Sequence, residues 1–228
     1  MVNVVQRFET TKITKMETLI TILIIIHASF GGFALLAATI AMIAEKGKKL
    51  HGKSGLVFYY SMLACGGSAF VISVLPGHEN PFLFAVGIFS LFFVITGYRA
   101  LRFKKKNISL SVDKVIAVVV IISGVLMISL PLILQSQINI VLSVFGAVGI
   151  FFSIQDLRLY QTPERLKEKW LIQHLTRMMG GFISAVTAFV VVNQLLPGIV
   201  AWLLPGAIGS VVISYWVRKT IKSKTAVQ

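Results

Sequence analysis

Val112–Leu134 reads VDKVIAVVVIISGVLMISLPLIL, and from Val115 onward it holds twenty residues without a charge. At about 1.5 Å per residue, a helix of that length crosses the roughly 30 Å hydrocarbon core of a bilayer. The run does not alternate as a barrel strand would. Lipid also offers no partner to unpaired backbone groups, so the segment reads as a transmembrane helix. Working outward, similar runs precede it at Thr18–Ala44, Gly55–Leu75 and Pro81–Leu101. Others follow at Ile138–Ile154, Leu171–Leu195 and Gly198–Val217. The expected fold class is all-α, a polytopic membrane bundle of seven transmembrane helices. Residues 1–17 would form an N-terminal extramembrane segment, 18–217 the transmembrane domain and 218–228 a basic cytoplasmic tail.

Composition agrees. Of 228 residues, 56% are hydrophobic and only 13% charged, and the mean hydropathy is +0.86. A soluble domain carries roughly 45–50% apolar and about 25% charged residues, and a disordered chain is poorer still in apolar ones. The first run is longer than the 7–15 apolar residues of a signal-peptide core, so it is expected to be retained. Cys65 is the only cysteine, which excludes an intrachain disulfide and a cysteine-based metal site.

The charge balance is lopsided, with 22 Lys and Arg against 8 Asp and Glu, a formal +14. In a soluble protein this would suggest nucleic acid. Here the cations sit between apolar runs, which points to anionic lipid as the partner and not to nucleic acid. One connection holds Lys46, Lys48, Lys49 and Lys53, and the next holds Arg99, Arg102, Lys104, Lys105, Lys106 and Lys114. Arg158, Arg165, Lys167, Lys169 and Arg177 follow, and the C-terminus adds Arg218, Lys219, Lys222 and Lys224. The intervening turns Pro76–Asn80, Gln135–Gln137 and Leu196–Pro197 have none. Nineteen of the 22 cations thus fall on one side, which the positive-inside rule makes cytoplasmic. Seven crossings then put the N-terminus outside, although Arg7, Lys12 and Lys15 lie there. Tyr98, Trp170, Trp202 and Trp216 fall at expected interfaces, as amphipathic rings prefer.

Polar groups inside a bilayer are costly and single out candidate sites. His27 lies deep in the first run and Asn193 near the end of the sixth, as intramembrane polar residues. His51 and His174 open the second and sixth helices at similar depth, on the basic side. His174 and Arg177 share a helix face at i and i+3. Arg177 is about 10 Å inward of Trp170 by helical rise. A permanent cation there needs a partner, and Asp113 and Asp156 are the available carboxylates. His51, Arg99, His174 and Arg177 form the candidate ligand-binding set. Small residues at Gly66–Gly67, Gly146 with Gly149, and Gly180–Gly181 read as helix-packing faces. No Walker loop, dinucleotide fingerprint or nucleophile elbow is present.

His27-Ala28-Ser29-Phe30-Gly31, Lys46-Gly47 and His51-Gly52-Lys53-Ser54-Gly55 resemble a class of bacterial predicted membrane proteins, a domain-of-unknown-function family of the Bacteroidetes type. Gly97-Tyr98-Arg99, His174-Leu175-Thr176-Arg177-Met178 and the segment from Thr187 to Asn193 fit the same class. The resemblance implies a multi-pass protein of the bacterial plasma (inner) membrane, marks His27, His51, Arg99, His174, Arg177 and Asn193, and supplies no reaction. Histidines on membrane helices are also weakly similar to b-type cytochromes. A seven-helix zinc-hydrolase family is disfavoured, since its paired His-x-x-x-His is missing.

Three functions follow as expectations. The first is a non-enzymatic protein without cofactor, whose cytoplasm-facing pocket of His51, Arg99, His174 and Arg177 binds a small anion or lipid headgroup in transport, sensing or assembly. The second is a redox protein with haem b on His51 and His174. The third is a membrane-embedded metal-dependent enzyme, disfavoured by the scarcity of acidic residues in the helices. Topology is directly testable. A reporter fused after Gln228 is expected in the cytoplasm, and a thiol probe at Asn80, in a Cys65-free background, is expected to react from outside intact cells. Labelling at Asn80 only after permeabilisation would invert the assignment.

Overall fold

The computed structural model describes residues 4–105 and 108–225, with side chains from 16 to 222. Lys106 lies outside the described residues, as do the side chains of Arg7, Lys12, Lys15 and Lys224. Seven helices succeed one another among the described residues. They are α1 (Val4–Ile43), α2 (Lys49–Ile72), α3 (Pro81–Ala100), α4 (Ser111–Gln135), α5 (Ile140–Leu159), α6 (Pro163–Val192) and α7 (Gly198–Thr225). Each contains a stretch long and apolar enough to cross a membrane. The chain is a multi-pass integral membrane protein with an all-α bundle.

The α4 helix shows how the pattern works. Val115, Val119, Ile122, Leu126 and Ile133 are exposed, whereas Asp113, Ala117, Val120, Gly124 and Pro131 are buried. Both sets recur at helical spacing, but the large apolar residues point outward and the small or polar ones inward. Such an arrangement suits lipid, because apolar tails solvate Val and Ile while small residues let helices approach closely.

At the centre, α3 packs on α6. Ser90 and Ser184 share a buried hydroxyl hydrogen bond, and a Cβ at Gly97 would stand 2.9 Å from Met178 Sδ. The antiparallel pair α1/α2 covers one side of this contact. Its core joins Ala34, Ala37 and Ala38 to Phe58, Met62 and Val94. The pair α4/α5 covers another side, where Phe92, Phe93 and Val120 meet Phe152. The α7 helix lies against α6.

Turns without cations are closed by local chemistry. Asn80 and Asn139 accept hydrogen bonds from Leu83 N and Leu142 N at 2.9 and 3.0 Å, capping α3 and α5. On the basic side the helices run further than their apolar runs. The α2 helix begins at Lys49 instead of Gly55, α5 continues to Leu159 instead of Ile154, and α6 begins at Pro163 instead of Leu171. The connection between the fifth and sixth apolar runs therefore contracts to a turn at Tyr160–Thr162, and the basic tail from Arg218 to Thr225 is helical. Apolarity marks only the part of a helix inside hydrocarbon. Lys, Arg and Glu sustain helix beyond it, and Pro163 with Glu164 provides a favourable first turn.

The closest approach of a glycine to another helix's backbone lies between α4 and α5, where a Cβ at Gly124 would stand 2.7 Å from Gly146 O. Gly124→Val should therefore lower the thermal midpoint in detergent, by about 1–3 kcal/mol of overpacking. Gly67→Ala, whose Cβ meets nothing within 4 Å, should cost little. Equal effects at the two positions would refute the close approach of α4 and α5.

Candidate functional site

The carboxylates near the basic end each take one arginine. Arg99, at the end of α3, donates through Nε and Nη2 to the two oxygens of Asp113 at 2.6 and 2.7 Å. Asp113 is 1% exposed and sits in the first turn of α4, where the helix N-terminus also favours negative charge. Two parallel charge-assisted hydrogen bonds of this kind are strong and directional. The pair bridges α3 and α4 across the longest basic connection.

Arg177 pairs with Asp156 through Nη2 to Oδ1 at 2.5 Å and also reaches Phe152 O at 3.2 Å. The Gln173 amide donates to the same carboxylate oxygen at 2.9 Å. Three rings enclose the guanidinium, with centroids 4.3 Å (Phe152), 5.2 Å (Phe92) and 5.7 Å (Phe93) from Cζ. Desolvated cation–π contacts can offset part of the cost of burying the charge. The offset is incomplete. Arg177 Nε and Nη1, Asp156 Oδ2 and Gln173 Oε1 are buried without a hydrogen-bond partner. Tyr160 Oη nearby is also without one. Burial raises the Tyr160 phenol above its ordinary pKa, reinforced by the Asp156 and Asp113 charges, so it stays a neutral donor.

Arg177 also borders a cavity of about 430 Å³ between α5 and α6. Three further cations line it, Arg158 on α5 and Arg165 and Lys169 on α6, together with Thr162 and Thr176. Phe152, Leu159 and Ile172 supply apolar wall. On α6 the polar lining recurs every fourth residue at Arg165, Lys169, Gln173 and Arg177, which places it on one helix face. That spacing is visible in the sequence and would have located the site. The side of α5 that completes it follows only from the packing of two helices.

The remaining candidates are held elsewhere. His51 Nδ1 donates to Ala41 O at 2.9 Å and His174 Nδ1 to Gly97 O at 2.8 Å. Of the four residues expected to form one pocket, Arg177 alone lines the α5/α6 cavity. His27 Nδ1 donates to Cys65 O at 2.9 Å, an α1–α2 contact. Asn193 is exposed at the end of α6 and bonds Phe189 O at 2.8 Å, so its amide serves the helix terminus. Among the described residues, no three of His, Cys, Asp and Glu converge to hold a metal.

Fold and site together define a polytopic helical membrane protein with a basic, partly apolar cavity at one end of the bundle. No known protein family, curated protein or solved structure matches the chain.

The paired charges make a stability test. Arg177→Ala leaves Asp156, 2% exposed, without its cation, and the loss should be about 3–5 kcal/mol. Adding Asp156→Asn should recover part of it, whereas adding Asp113→Asn should not. Thermal unfolding of the purified variants checks this, and recovery through Asp113 would reassign the pair.

Proposed function

We propose that the chain binds a small anion or an anionic headgroup at the basic end of its bundle and acts by binding, without catalysis of its own. The observation that supports this reading is the buried Arg177 guanidinium, which borders the α5/α6 cavity with Nε and Nη1 unpartnered. Buried donors are ordinarily satisfied, and an oxyanion offers a guanidinium paired acceptors. Arg158, Arg165 and Lys169 add positive charge at the mouth, while the one carboxylate in the lining is already engaged by Arg177 and Gln173. Arg99 serves instead to hold Asp113 and fix the neighbouring helix. The basic connections favour a cytoplasmic mouth. The resemblance noted above supports a bacterial plasma membrane. Transport, sensing and assembly are all roles such a site could serve.

A second reading has its own support. Because Nδ1 of both His51 and His174 donates to a backbone carbonyl, the lone pair of the neutral ring falls on Nε2 in each. Metal-ligating histidines commonly have this arrangement. The coordination chemistry therefore fits haem b, which would bring one-electron chemistry to the basic end.

Titration with inorganic phosphate and sulfate at constant ionic strength should raise the thermal midpoint saturably, by up to about 3 kcal/mol at one hundred times Kd. Arg165→Gln with Lys169→Gln, both exposed, should abolish the rise. Absence of any anion response would refute the reading. An absorption spectrum showing haem, lost in both His51→Ala and His174→Ala, would establish the second instead.

A further inference from the structure

We propose that the α5/α6 cavity takes a phosphate-bearing lipid, with the phosphomonoester among its cations and the chain along its apolar wall. This rests on the anion-binding reading and narrows it to one class of ligand.

Placement carries the argument first. The cavity follows α5 from Leu159 to Phe152, about 10 Å by helical rise. Its composition changes along the way. Arg158, Arg165 and Lys169 are exposed near the turn, whereas Phe152, Ile172 and the buried Arg177 lie further along the two helices. A bilayer interface likewise holds exposed cations at its headgroups and apolar side chains further in, and at that depth Arg177 is paired with Asp156. A wholly polar anion would use the cations and leave Phe152, Leu159 and Ile172 against water. An amphiphile covers both parts at once.

Charge selects the headgroup. Four cations face a single carboxylate, so a dianion is accommodated better than a monoanion or a zwitterion. A phosphomonoester also has three terminal oxygens, enough to accept from several of the lining cations at once. A phosphodiester has two and carries one charge. A zwitterionic headgroup would bring its own cation among four others.

The full chain in non-ionic detergent would be titrated with oleoyl lysophosphatidic acid, glycerol 3-phosphate and oleoyl lysophosphatidylcholine, following thermal stability. The lipid phosphate should bind with an apparent Kd about tenfold or more below that of glycerol 3-phosphate, since burial of two methylenes already supplies that much. Lysophosphatidylcholine should not compete. Ile172→Ser should narrow the gap between the lipid phosphate and glycerol 3-phosphate, while Lys169→Gln weakens both. Equal affinity for glycerol 3-phosphate and the lipid would overturn the chain assignment and leave the anion reading standing. Equal affinity for the two lysolipids would overturn the headgroup assignment. No response to either phosphate would overturn both readings.

Discussion

A guanidinium inside an apolar bundle has to be neutralised, and meeting that requirement organises the basic end of this molecule. Arg99 and Asp113 fasten α3 to α4, and Arg177 and Asp156 fasten α6 to α5. Each pair thus joins two helices that follow one another in sequence at the basic end. The opposite end needs no such device, since Asn80 and Asn139 cap short turns there. The α3/α6 contact then brings both ion-paired units together, and it depends on small residues at the crossing. Were Gly97 larger, it would meet Met178 and the Arg177 Cβ, displacing the helix that carries the charge.

Apolar run length proved a sound guide to helix number, because the cost of unpaired backbone in hydrocarbon leaves little choice. It was a poorer guide to helix ends. The α6 helix begins eight residues before its apolar run, with Arg165, Lys167 and Lys169 already helical. Nothing in hydropathy distinguishes a charged helical turn from a charged loop. Thr162-Pro163-Glu164 does, as a proline at the first helical position followed by an acidic residue marks a beginning.

The site divides in the same way. Arg177 stood out because a cation among apolar residues demands an explanation, and the two carboxylates able to answer it were visible. Which carboxylate serves which arginine depends on helix adjacency, a tertiary property. Grouping His51, Arg99, His174 and Arg177 by depth treated all residues at one level as neighbours. In the folded chain, depth is shared but azimuth is not. Arg99 faces α4, His51 turns back to α1, and His174 reaches α3. Only Arg177 faces the gap between α5 and α6.

That gap explains why the second ion pair differs from the first. Asp113 receives two parallel hydrogen bonds from Arg99 and uses both its oxygens. Asp156 uses one oxygen for both Arg177 and Gln173, leaving Oδ2 without a partner. A pair required only to hold helices together would gain from the fork-to-fork arrangement that Arg99 adopts. Arg177 Nε and Nη1 are instead buried without partners beside a cavity, while three aromatic rings enclose the guanidinium. An incompletely satisfied buried network is costly to stability, and such costs gather where binding needs unfilled valence. The contrast leaves Arg99 as a satisfied tie between two helices and Arg177 as an incompletely satisfied one that borders a cavity.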